Sequence, residues 1–141
     1  MENFELFEEE LKRNNLDLKK YDFEDRYLYA LRQYYEDINT FWGIYVSKKN
    51  HKNSLLITLL TIPTYKKEEF LKLLNSLNEK YFNVSFFLYY DEDKKNYDVR
   101  LSRCYSCSYE KFEAEFFMFL ISETHSILKE VMPKLTRLKY D

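Results

Sequence analysis

One glycine and two prolines in 141 residues leave few loops that can rely on backbone conformations closed to ordinary residues. Two cysteines are too few for a disulfide framework, and a reducing cytosol would keep both thiols free. No apolar run approaches the roughly 20 residues of a spanning helix. The longest lie around Ser54–Pro63 and Phe116–Ile121. The opening stretch, MENFELFEEELKRNN, has neither the basic start nor the apolar run of a secretory signal, so a cytoplasmic location is the expectation. Neither sign of charge dominates. With 22 basic and 24 acidic side chains, the formal charge of -2 gives no electrostatic ground for binding nucleic acid or an anionic membrane. What the chain does have is rings: 14 Tyr, 12 Phe and one Trp, 19% of all residues. A composition of 45% hydrophobic and 33% charged residues describes a folded chain, and the length suits one domain spanning residues 1–141.

The hydrophobic period changes several times along the chain. Phe4, Phe7 and Leu11 stand at helical spacing among Glu8, Glu9, Glu10 and Lys12, which predicts an amphipathic helix of about three turns fading near Asn14. Leu16, Leu18 and Tyr21 read as an extended link running back to a sheet. Arg26–Tyr35 then alternates Tyr27, Tyr29 and Leu31 with Leu28, Ala30 and Arg32. Thr40–Lys48 alternates Phe41, Gly43 and Tyr45 with Trp42, Ile44 and Val46, so both segments are strands with two unlike faces. Ser54–Pro63 is apolar on both sides, as a central strand should be. Three strands in meander order is the economical reading, with turns at Glu36–Asn39 and Lys48–Asn53.

Phe70, Leu74, Leu77 and Tyr81 form a clean stripe, predicting a helix from about Tyr65 to Lys80 with Thr64 as a candidate cap. Val84–Tyr90 and Tyr97–Ser102 are strands around the charged tip Asp91–Asn96. A closing helix begins near Phe112, with Ser108 as a candidate cap. It carries two apolar lines, Phe112, Phe116, Leu120, Ile127, Val131 and Phe117, Ile121, Leu128, Leu135. This arc is wider than one packing stripe, which suggests a sheet contact plus a surplus for a partner. Pro133 should end the regular helix at about Met132.

Candidate chemistry is sparse. Cys104-Tyr105-Ser106-Cys107 is a CxxC, a spacing that suits a redox pair or half a zinc site. Only His51 and His125 remain as further ligands for zinc, far apart in sequence and without a second CxxC, and no βαβ unit surrounds the pair. His125 reads as a packed histidine on an apolar helix, and His51 as a solvated loop residue. Asp91-Glu92-Asp93 lacks the glycine and distal glutamate of a calcium loop and reads as a solvated tip. No metal, cofactor or catalytic residue is expected. The ring surplus remains, either selected for contact or inflated by a coding bias towards Tyr, Asn and Lys.

The element order, α-β-β-β-α-β-β-α, resembles the YbjN family and the type III secretion chaperone-like fold to which that family is similar. The correspondence is closest from Phe70 to about Leu135: FLKLLNSLNEKYFNVSFFLYYDEDKKNYDVRLSR looks like the family's middle helix and acidic-tipped hairpin, and FEAEFFMFLISETHSILKEVMP like its closing helix. The resemblance implies an α+β fold, an antiparallel sheet packed by helices, homodimerisation in many members, and work by protein contact. The expectation is therefore a non-enzymatic cytosolic protein-binding module, chaperone-like or regulatory, and homodimeric. Its partner surface is expected at Tyr27, Tyr29, Trp42, Tyr45, Phe87 and Tyr89, and its self-association at Phe117, Ile121 and Leu128. The alternatives are an immunity protein that neutralises a toxin, or a thiol redox protein using Cys104 and Cys107.

Overall fold

A computed structural model describes residues 1–50 and 52–141; the reading of His51 lies outside the described residues. The chain is α+β. Helix α1 (Asn3–Arg13) leads into strands β1 (Lys19–Asp22), β2 (Arg26–Tyr35), β3 (Ile38–Ser47) and β4 (Lys52–Ile62). Helix α2 (Lys67–Lys80), strands β5 (Ser85–Asp91) and β6 (Asn96–Ser106), and helix α3 (Ala114–Tyr140) complete it. All six strands form one antiparallel sheet in the order β1-β2-β3-β4-β6-β5. The expected order is present with one addition: the link through Tyr21 pairs with Tyr27–Ala30 as a short edge strand.

Cross-strand register divides the sheet into two faces. Tyr29, Ile44, Leu55 and Arg103 share one face, because Tyr29 lies opposite Ile44, Ile44 opposite Leu55 and Leu55 opposite Arg103. Helices α1, α2 and α3 all pack on this side. Phe7 of α1 meets Tyr29 at 5.1 Å and Phe117 of α3 at 5.4 Å between ring centroids, which locks helix, helix and strand together. The apolar run in β4 resolves at a bulge between Thr58 and Leu60: the slip lets consecutive Leu59 and Leu60 both enter the core.

Helix ends depart from the sequence reading. Thr64 opens a 3₁₀ turn, Thr64–Lys66, and does not cap α2 with its side chain. Ser108 likewise precedes a 3₁₀ turn, Tyr109–Lys111, and α3 begins at Ala114. The largest difference is at Pro133, which α3 passes on its way to Tyr140. An interior proline costs about 3 kcal/mol. Here Val131, Met132 and Leu135 are fully buried on both sides of it, and the Lys66 ammonium donates to the Leu138 carbonyl at 2.6 Å, satisfying one of the last-turn acceptors.

Candidate functional site

The second face of the sheet has no helix on it among the described residues. Its side chains follow from the register in rows that cross the strands. The middle row is Lys19, Ala30, Gly43, Leu56, Ser102 and Ser85, from β1 to β5. Beyond Lys19 this row is short or aliphatic, and at its centre is the chain's single glycine. On one side runs Tyr21, Leu28, Tyr45, Ser54 and Cys104; on the other runs Arg32, Phe41, Thr58, Arg100 and Phe87. Over β1 to β3, short side chains between larger ones make a trough. Over Ala30, Gly43 and Leu56 it deepens into a hollow of ≈ 540 Å³, bordered by Tyr21, Phe41, Tyr45, Lys19, Arg32 and Arg100.

Four rings on this face are paired with cations. Arg26 lies 4.6 Å from the Tyr45 ring centre, Arg32 4.6 Å from Phe41, Arg100 3.9 Å from Tyr89, and Lys19 5.2 Å from Tyr21. Phe41 and Tyr89 remain about half exposed, at 48% and 49%. The carboxylate of Asp98 joins Arg100 at 3.1 Å, while the Arg100 Nε has no partner among the described residues.

The expected partner residues divide between the two faces. Tyr45, Phe87 and Tyr89 lie on the open one. Tyr27, Tyr29 and Trp42 lie beneath the helices, so their assignment to a partner surface is corrected. Tyr29 donates its hydroxyl to Glu8 at 2.7 Å, and burial together with this bond raises its pKa. Burial by itself would push the Glu8 carboxyl up, but bonds from Lys20 and Tyr29 bring it below the usual carboxylate range. The Trp42 indole donates to the Thr40 hydroxyl at 3.1 Å. The self-association residues are corrected as well: Phe117, Ile121 and Leu128 belong to the core, and Phe116 and Phe119 face outward from α3 instead. In the sequence, phase alone separates these groups, since Trp42 and Tyr45 stand an odd number of residues apart on one strand.

Other polar groups serve the framework. Tyr35 and His125 Nδ1 are 2.7 Å apart; burial raises the phenol, while burial and the Lys129 charge lower the imidazole. Arg103, almost fully buried, donates to Glu123 at 2.6 Å and to Thr124 at 3.2 Å, tying β6 to α3. The Asn78 carboxamide exchanges two bonds with the Phe86 backbone, at 2.7 and 3.0 Å, closing part of the β5 edge against another strand. Of these residues the sequence singles out His125 alone, as a packed histidine; the pairings themselves are long-range and leave no local signal.

Cys104 lies on β6 and Cys107 just past its end, and both are free thiols. Two extended steps already carry the chain about 7 Å from Cys104 to Ser106, so a bridge needs the strand end to bend back on itself. Among the described residues no group of three or more His, Cys, Asp or Glu side chains could hold a metal ion, and no helix is long and apolar enough to cross a membrane.

No family model matches the chain, and no curated protein does. Among solved structures, the chain is similar to "YbjN, a putative transcription regulator from E. coli", at 8% sequence identity and a TM-score of 0.67, over 95% of this chain and 91% of that one. The fold is YbjN-like.

Proposed function

We propose that the chain is a non-enzymatic protein-binding module of regulatory or adaptor type that engages its partner through the open face of the sheet. The observation that carries this reading is the segregation of the faces: three helices cover one, while the other keeps its rings and guanidinium groups uncovered around a trough. Exposed rings that stay rigid on a sheet supply contact area at low entropic cost, and their paired cations supply orientation. The regulatory character described for YbjN is compatible with this and belongs, as stated, to that protein. In the thiol alternative the two sulfurs would have to meet, and the extended backbone between them works against it.

The test is capture from the native cell by the wild-type chain and by a Phe41→Ser, Tyr45→Ser, Tyr89→Ser variant. Surface substitutions of this kind shift stability by about 0.5 kcal/mol each. The reading expects the same thermal midpoint within a few degrees and loss of the captured protein. Retention of that protein by the variant would overturn it.

A further inference from the structure

The hollow over Gly43 says what kind of segment the open face takes. Glycine inside a strand weakens it and is retained where something approaches the backbone closely. Gly43 has no unusual φ to explain it. A Cβ there would lie 3.2 Å from Leu28 Cδ1 and 3.3 Å from Tyr45 Cε2, both movable ends of side chains, so the backbone does not forbid one. The glycine lies midway across the trough, opposite Ala30 on one neighbour and Leu56 on the other, where a side chain of its own would fill the space. The floor is aliphatic and the hollow, at ≈ 540 Å³, has room for a large apolar side chain.

The rim is net positive. Lys19, Arg26, Arg32 and Arg100 project on this face, against Asp98, which already holds Arg100, and Asp91, whose carboxylate accepts the backbone N–H groups of Asp93 and Lys94. The whole chain has a formal charge of -2, so this positive surface is local. The guanidinium groups of Arg26 and Arg32, lying against rings, keep N–H edges for a bidentate carboxylate. Tyr21, Phe41, Tyr45 and Tyr89 each already carry a cation, which leaves fewer bare ring faces for stacking a nucleic-acid base.

Resting on the open-face reading, we infer that the site binds an acidic polypeptide segment that seats one large apolar side chain over Gly43 between carboxylates held by Arg26 and Arg32. The experiment is panning of a random-peptide library on the full chain, followed by anisotropy titration of the enriched peptides and of a short oligothymidylate. Enrichment of acidic sequences with a single Leu, Ile, Phe or Met is expected. Affinity should fall about tenfold or more in Arg32→Glu and in Ala30→Leu, which fills the hollow from the adjacent strand. Both variants are checked for an unchanged melting curve, and Arg32→Ala replaces Arg32→Glu if the latter unfolds. Enriched peptides without acidic bias that are still lost in Ala30→Leu overturn the inference and leave the open-face reading standing. Peptides insensitive to both variants overturn both. No enrichment, or oligothymidylate binding tighter than every peptide, overturns the acidic-segment assignment.

Discussion

Arg103 and His125 show how single residues hold the helical layer to the sheet. Arg103 is buried while its partner Glu123 is about a third exposed, so removing the carboxylate strands a guanidinium away from water. Glu123→Ala is expected to cost about 2–4 kcal/mol in chemical denaturation, more than a surface ion pair would. His125 acts through its proton. Its pKa in the folded chain lies below the ordinary histidine value because of burial and Lys129, so the folded state binds fewer protons than the unfolded one. The resulting stability is present above about pH 6.5 and is lost as the pH falls through the lower, folded value. The urea midpoint should therefore drop between pH 7 and pH 5.5, and drop less in His125→Gln; an identical drop in the variant would remove this role. At this scale the sequence was legible only for packing. His125 was read as a packed histidine, but nothing near it in the chain points to Tyr35, 90 residues away.

Elements were legible where one periodicity ruled. The stripe of α2 and the strict alternation in β2, β3 and β6 placed their residues in the right phases. They failed at the ends, where backbone alternatives differ by little, and at Pro133, where tertiary burial outweighs a local rule. Turns add a further point. Glu36 and Lys95 sit at φ of 56° and 55°, in the left-handed region, although glycine would occupy that region at less cost. The chain's single glycine is at Gly43 instead, in mid-strand. Lys95→Gly should raise stability by about 1 kcal/mol in thermal unfolding, since its side chain is exposed at a hairpin tip; a loss would mean that the lysine makes a contact the fold depends on.

At the level of the whole molecule, the ring surplus has three destinations. Part of it is core, and tyrosine hydroxyls there find partners: Tyr29 on Glu8, Tyr35 on His125, and the Glu113 N–H donating to Tyr105. A second part, Tyr21, Phe41, Tyr45, Phe87 and Tyr89, lies on the open face, and a third, including Tyr65, Phe82, Phe116, Phe119 and Tyr140, is exposed away from the sheet. From the sequence both phases of β2 and β3 carry rings, so the side the helices would cover was undetermined, and the expected partner set mixed the two. Half of that set, Tyr45, Phe87 and Tyr89, survives as one surface. The central claim is that this surface is where the partner sits. Site-specific photocrosslinking in the native cell tests it most directly, with a benzophenone side chain placed in turn at Tyr45 and Tyr89 on the open face, and at Tyr65 and Phe116 on the helical side. The account predicts one adduct of common mass from Tyr45 and Tyr89 and none from the other two. Adducts from Tyr65 or Phe116 alone would contradict it.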